Sequence, residues 1–105
     1  MTSFKIHTTG TAPGSSSAVL ANVKSNVGFV PNIFAVIAES PAGLAGFASL
    51  GEAFASSTLT SEEQQIIQLA ASTENECVYC VSGHTAFAQT LNIPEEVVSS
   101  LRDKK

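Results

Sequence analysis

Residues 60–91 read TSEEQQIIQLAASTENECVYCVSGHTAFAQTL, and this stretch predicts two consecutive helices. Thr60-Ser61-Glu62-Glu63 has the spacing of a capping box, in which the first hydroxyl and the last carboxylate each accept a hydrogen bond from the other residue's backbone N–H. Apolar residues at helical spacing follow the box. A short connection over residues 73–76 then leads to a second helix, which opens at Cys77 and reaches about Thr90.

The remainder of the chain also predicts helices rather than strands. A helix over residues 16–26 is expected to end at Gly28, because glycine adopts the left-handed conformation that stops a helix. Ser40-Pro41 supplies an N-cap and a first helical residue for a helix that runs to about Ser56. No alternating apolar pattern of useful length appears, so the predicted fold class is all-α.

Two further short helices complete the predicted architecture, one over residues 32–39 and one after Pro94. We therefore expect about five to six helices in one helical domain over residues 15–105. Residues 1–14 are rich in Thr, Gly and Pro and predict an N-terminal arm.

Composition excludes several classes of protein. The net charge is −4 and there is no basic patch, which disfavours nucleic-acid binding. No run approaches the ~18 consecutive apolar residues of a membrane-spanning helix. The first ten residues lack the apolar core of a secretory signal, so a cytoplasmic location is expected.

Charge is unevenly distributed along the chain. From Ile6 to Ser61 the only Lys, Arg, Asp or Glu residues are Lys24, Glu39 and Glu52. A small monomer exposes too much surface to leave such a stretch uncharged. Contact with other copies of the chain is the interpretation that we favour, and the sequence therefore predicts a homo-oligomer.

The two cysteines and one of the two histidines lie within residues 77–84. On a helix, Cys77, Cys80 and His84 share one face, because ~100° separates successive residues. Two cysteines at this spacing approach closely enough to form a disulfide or to share a proton. A histidine one turn later can take a proton from a thiol or stabilise the thiolate.

Four interpretations of this cluster were considered. The cysteines could be inert core residues. They could also be zinc ligands, with Glu74 or Glu76 as the fourth ligand because the only other histidine, His7, lies in the predicted arm. A c-type haem is excluded because Val81, not histidine, follows the second cysteine. The fourth interpretation, a redox-active dithiol that needs no metal and no cofactor, is the one that we favour.

The pattern Cys77-x-x-Cys80-x-x-x-His84, on a helix after the Thr60 start, resembles the AhpD-like alkylhydroperoxidase family of the carboxymuconolactone decarboxylase superfamily. Residues 28–34 and 39–41 also look like the small single-domain members. The resemblance spans about residues 20–100. It implies an AhpD-like helical bundle and an assembly of three or six copies.

The resemblance also implies a chemistry, which is peroxide reduction by a dithiol. Cys80 matches the cysteine that attacks the hydroperoxide, and Cys77 matches the partner that resolves the product into a disulfide. His84 matches the histidine of a proton relay. The implied partners are a hydroperoxide substrate and an external thiol reductant. Because the decarboxylase branch of the superfamily lacks the dithiol, the resemblance does not favour lactone decarboxylation.

The sequence departs from the family pattern at two positions. Gln65 stands where the relay usually has a glutamate, and an amide cannot take up a proton at neutral pH. Glu62 lies one turn earlier and could substitute, although it belongs to the helix start. Tyr79 replaces a histidine between the cysteines. A redox sensor or structural oligomer without turnover is therefore the alternative function.

Two questions about the surroundings of the dithiol stay open from the sequence. Glu74 and Glu76 could raise the pKa values of the thiols or could simply face solvent. An apolar pocket for an organic hydroperoxide could be formed by Phe47, Phe54 and Phe87, but aromatic residues at helical spacing are also ordinary core residues.

Overall fold

A computed structural model describes residues 3–104 and contains six helices. Within these residues there is no strand, which confirms the predicted all-α class. No helix in this part of the chain is long and apolar enough to cross a bilayer. The helices are α1 (Ser16–Val27), α2 (Asn32–Ile37), α3 (Pro41–Ala55), α4 (Ser61–Glu74), α5 (Val78–Thr90) and α6 (Glu95–Arg102).

Backbone packing divides the chain into two compact units, one ending at Ala53 and one beginning at Phe54. Each unit has its own cluster of buried side chains. The predicted limits of the arm, residues 1–14, and of the helical domain, residues 15–105, stay a prediction. Met1, Thr2 and Lys105 lie outside the described residues.

The core of the first unit forms around the buried side chains of Leu20, Ala38 and Leu44. The Ser16 hydroxyl is also buried, and it donates a 2.7 Å hydrogen bond to the carbonyl of Ala38. This bond satisfies a hydroxyl that would otherwise be costly to remove from water. It also fixes the start of α1 against the end of α2.

The ends of two helices in this unit follow the predicted cap chemistry. Gly28 has a φ of 98°, and its N–H donates to the carbonyl of Lys24, so α1 ends in a left-handed glycine. Ser40 precedes α3, and its hydroxyl accepts a 3.0 Å hydrogen bond from the N–H of Gly43. Both predicted boundaries are confirmed to within one residue.

The segment before α1 is held against α2 by His7. Its imidazole is buried, with Nε2 2.5 Å from a carboxylate oxygen of Glu39 and Nδ1 3.2 Å from the Thr11 hydroxyl. The backbone N–H of His7 donates to the carbonyl of Ala35. His7 is therefore committed to the first unit and does not project from a free arm.

The second unit begins with the capping box that the sequence predicts. The Glu63 N–H donates to the Thr60 hydroxyl at 3.1 Å, and the Thr60 N–H donates to the Glu63 carboxylate at 2.8 Å. Helices α4, α5 and α6 then pack around one apolar cluster. Its buried members are Leu69, Ala88, Ile93 and Val98.

Candidate active site

The candidate site begins where α4 ends. Helix α4 continues to Glu74, two residues beyond the predicted end, and so enters the stretch expected to be a connection. The Glu76 N–H donates to the carbonyl of Thr73, and the Cys77 N–H donates to that of Ser72. These two bonds, with Glu76 at a φ of 55°, form a Schellman motif.

Cys77 is also the N-cap of the next helix, so it takes part in the end of α4 and in the start of α5. As the N-cap of α5, it accepts a 3.2 Å hydrogen bond at Sγ from the N–H of Cys80. Its sulfur therefore lies at the positive end of the α5 dipole, where a thiolate is stabilised when the site is reduced.

Cys77 and Cys80 are joined by a disulfide, and their Cα atoms are 5.3 Å apart. This separation is typical of disulfide-bonded cysteines, so the backbone of the helix start accommodates the bond. Both residues are partly buried rather than fully enclosed. The dithiol is thus built into the first turn of α5, where a reaction partner can reach it.

His84 lies one helical turn after Cys80, and its ring is oriented from α4. Its Nδ1 is 3.0 Å from Oε1 of Gln65. Because an amide oxygen can only accept, Nδ1 must carry the proton. In the neutral ring, Nε2 then holds the lone pair.

Gln65 is itself oriented by a second glutamine. Its Nε2 donates a 3.2 Å hydrogen bond to Oε1 of Gln68, three residues further along α4. The resulting chain runs from the His84 ring through one amide to another and contains no charged group. Gln68 is not among the residues that the sequence pattern indicated, although Gln65-x-x-Gln68 has the spacing of side chains that meet on one face of a helix.

The environment of His84 favours the neutral ring. The side chain is half-buried, and this loss of hydration lowers its pKa below the ordinary value of 6.5. No carboxylate offsets the burial, because the partner of Nδ1 is an amide. Near neutral pH the imidazole is therefore a proton acceptor.

The acidic residues near the dithiol are exposed and have other roles. Glu62 is in the first turn of α4, where it complements the helix dipole. Glu74 forms an exposed ion pair with Lys104 at 3.5 Å, and Glu76 occupies the left-handed position before Cys77. Residues 3–104 contain no group of three or more His, Cys, Asp or Glu side chains placed to hold a metal ion.

Two of the three phenylalanines suggested as a pocket, Phe47 and Phe87, make ring contacts in the structure. Phe47 packs edge-on against Phe34 in the first unit, with ring centroids 5.1 Å apart. In the second unit the ring of Phe87 is tilted at 6.4 Å from that of His84, and Phe87 is 40% exposed. A groove of about 400 Å³ in the first unit is lined by other residues, from Ile6 to Ala35.

The structure therefore brings the predicted site residues together as two bonded pairs on adjacent helices. Cys77 is joined to Cys80 by a disulfide, and His84 is hydrogen-bonded to Gln65. A family model described as "Carboxymuconolactone decarboxylase family" matches residues 41–101, from the start of α3 into α6. This match covers more than half of the chain.

The chain belongs to the carboxymuconolactone decarboxylase family. This family includes alkylhydroperoxidases as well as decarboxylases. A comparison with curated proteins gave no match. The family assignment agrees with the resemblance seen in residues 59–91, and the all-helical architecture agrees with the AhpD-like helical bundle.

The lowered pKa of His84 predicts a specific dependence of stability on pH. The unfolded chain binds a proton on this residue more readily than the folded chain does. The contribution of His84 to the stability of the folded state is therefore complete at high pH. It is lost as the pH falls from about 6.5 through the lowered pKa. In an NMR titration, the His84 ring should titrate with a midpoint below 6.5, and urea midpoints should fall less in His84→Asn than in the wild type.

Assignment of the two histidine resonances uses a His7→Asn variant, since the chain has two histidines. A His84 midpoint at or above 6.5 would contradict burial as the dominant influence on this ring.

Proposed function

We propose that the protein is a thiol-dependent hydroperoxide reductase of the alkylhydroperoxidase type. The observation that carries the proposal is the Cys77–Cys80 disulfide in the first turn of α5, one turn before a histidine held by α4. A disulfide in this position is the oxidised product that such a cycle would leave. Membership of a family that contains alkylhydroperoxidases supports the same reaction.

The first step consumes the peroxide. The thiol of Cys80 gives its proton to Nε2 of His84, and the thiolate attacks the terminal oxygen of ROOH. The O–O bond breaks, Cys80 becomes a sulfenic acid, and the leaving alkoxide takes the proton from His84 to become ROH. The sulfur is oxidised by two electrons and the peroxide is reduced by two.

The second step resolves the sulfenic acid. The Cys77 thiol loses its proton, and its sulfur attacks Sγ of Cys80. The S–O bond of the sulfenic acid breaks, the leaving hydroxide takes up that proton as water, and the Cys77–Cys80 disulfide forms. The Cys80 N–H bond to the Cys77 sulfur and the α5 dipole both favour the thiolate that this attack requires. An external dithiol then returns both cysteines to thiols and is itself oxidised to a disulfide.

The role of His84 follows from which of its nitrogens is occupied. Gln65 binds Nδ1, so Nε2 is the nitrogen left to exchange a proton with the dithiol. The lowered pKa keeps this nitrogen unprotonated near neutral pH. No cofactor and no metal takes part in the proposed cycle.

Peroxide consumption with an excess of dithiol reductant tests the reaction directly. Wild type should pass through many turnovers with an organic hydroperoxide. Cys80→Ser should abolish consumption because it removes the attacking sulfur. In a second assay without reductant, Cys77→Ser should consume about one equivalent of hydroperoxide and keep its sulfenic acid, because no resolving thiol is present. Mass spectrometry of the Cys77→Ser product, trapped with dimedone, would locate the sulfenic acid on Cys80.

Ser82→Ala, on the exposed surface of α5, is the matched control and should keep wild-type turnover. If the wild type forms one disulfide per chain and then stops, the protein is a redox sensor. If its cysteines stay reduced under peroxide, the dithiol has no role in peroxide chemistry.

A carboxylate at position 65 should strengthen the relay. Gln65→Glu places a negative charge beside Nδ1 of His84, which raises the pKa of the ring and makes Nε2 a stronger base. We expect kcat/KM for hydroperoxide to rise by roughly tenfold, a part of the ~10²–10⁴-fold that a complete general acid–base group contributes. The measurement is the pH profile of kcat/KM together with the NMR titration of His84.

Gln89→Glu is the charge-matched control, because Gln89 is an exposed residue of α5. An equal rise in both variants would mean that overall charge, not the contact with His84, controls the rate.

We also propose that the chain assembles as a homotrimer or homohexamer. Large apolar side chains are exposed in the charge-poor stretch, among them Ile6 at 57%, Phe29 at 56% and Leu50 at 70%. Such residues are typical of surfaces that bind other subunits. The Lys, Arg, Asp and Glu residues between Ile6 and Ser61 are Lys24, Glu39 and Glu52 alone.

Sedimentation equilibrium should give a mass of about three or six times 10.9 kDa. Leu50→Glu, which places a charge on the most exposed of these apolar side chains in the charge-poor stretch, should shift the protein to smaller species. Leu91→Glu is the control, since Leu91 is 44% exposed but lies outside that stretch. A wild-type mass of 10.9 kDa at micromolar concentration would refute the assembly.

A further inference from the structure

We infer that Gln68 is a positioning residue that selects the tautomer of His84 through the amide of Gln65. The inference deepens the proposed function and rests on it for its catalytic consequence. The observations are two hydrogen bonds in series, from His84 Nδ1 to Gln65 Oε1 at 3.0 Å and from Gln65 Nε2 to Gln68 Oε1 at 3.2 Å.

The inference depends on the two different ends of an amide. The oxygen of Gln65 accepts and its nitrogen donates, so rotating the amide by half a turn would reverse both contacts. With its nitrogen toward Gln68, the amide presents its oxygen to His84. Because Gln68 offers its own oxygen to that nitrogen, it favours this orientation over the reversed one.

The orientation of the amide decides where the imidazole keeps its proton. A neutral imidazole has one N–H and one bare nitrogen. An oxygen opposite Nδ1 requires the proton on Nδ1 and leaves Nε2 bare. The reversed amide would place an NH₂ group opposite Nδ1 and so favour the proton on Nε2. Gln68 thus influences the imidazole of His84 without contacting it.

A carboxylate in the position of Gln65 would need no such support. Both of its oxygens accept, so every orientation of the group requires a proton on Nδ1 of His84. The amide of Gln65 lacks this symmetry, so the group that its nitrogen meets bears on which end faces His84. In the structure that group is the side-chain oxygen of Gln68, one turn along α4 and partly buried.

The experiment replaces Gln68 with side chains of different hydrogen-bonding character. Gln68→Glu can only accept, Gln68→Lys can only donate, and Gln68→Met is apolar and of similar length. The readout is the pair of imidazole ¹⁵N shifts of His84, which distinguish a protonated from a bare ring nitrogen. Spectra are recorded at about pH 8, well above the ordinary histidine pKa, so that the ring is neutral.

The wild type and Gln68→Glu should carry the proton on Nδ1. Gln68→Lys should shift most of the population to Nε2–H, because its ammonium takes the oxygen of Gln65 and turns the amide over. Gln68→Met should give a mixture. Gln89→Lys, a charge-matched change at an exposed position of α5, should leave the wild-type tautomer unchanged.

An Nδ1–H tautomer that persists in both Gln68→Met and Gln68→Lys would overturn the inference. Circular dichroism verifies that each variant is folded, and Gln68→Met provides the answer if the lysine variant does not fold. Turnover is measured separately, with kcat/KM for hydroperoxide expected to fall by roughly 10- to 100-fold in Gln68→Lys. Loss of the proposed peroxidase reaction would leave the ¹⁵N result intact, so the two failures are distinguishable.

Discussion

The candidate site depends on a backbone junction in which Cys77 serves two helices. Its N–H completes the end of α4, and its sulfur caps the start of α5. No residue is left over for a flexible connection, so the direction in which α5 leaves α4 is fixed by hydrogen bonds. That direction brings His84 back beside Gln65, although 19 positions separate them in the sequence. The left-handed φ of Glu76 costs about 1–2 kcal/mol relative to an ordinary conformation, and the shared helix ends offset it.

The junction also determines where charge is favoured. The α5 dipole and the Cys80 N–H stabilise a negative sulfur at the helix start. The chain of two hydrogen bonds from His84 through Gln65 to Gln68 contains only neutral groups. A partly buried site of this kind avoids the desolvation of a carboxylate, and burial favours the neutral form of its one ionisable ring, that of His84. The dithiol and the relay are therefore electrostatically compatible at neutral pH.

Local side-chain chemistry explains what the sequence could predict. The Thr60 capping box, the Ser40-Pro41 start and the Gly28 stop each have a short-range mechanism, so these boundaries agree with the structure. The longer α4 was missed because glutamate is not a residue that signals a left-handed helix end, whereas here Glu76 occupies that position. The pairing of His84 with Gln65 followed from the family pattern, but the contribution of Gln68 requires knowing which end of an amide faces the ring. Periodicity carries no information on that choice.

Proton balance explains why a neutral relay suffices for the proposed reaction. The proton that leaves the Cys80 thiol returns to the departing alkoxide, so the ring of His84 is neutral before and after each turnover. A carboxylate at position 65 would strengthen the base, but no net proton has to be stored there. With an amide at position 65, His84 is a weaker base than it would be beside a carboxylate, and proton transfer to it is slower because the rate follows base strength. The further requirement of the amide is orientation, because it presents a donor or an acceptor according to how it is turned. In the structure the nitrogen of Gln65 meets the oxygen of Gln68 within α4, and this is the orientation that turns the oxygen of Gln65 toward the histidine.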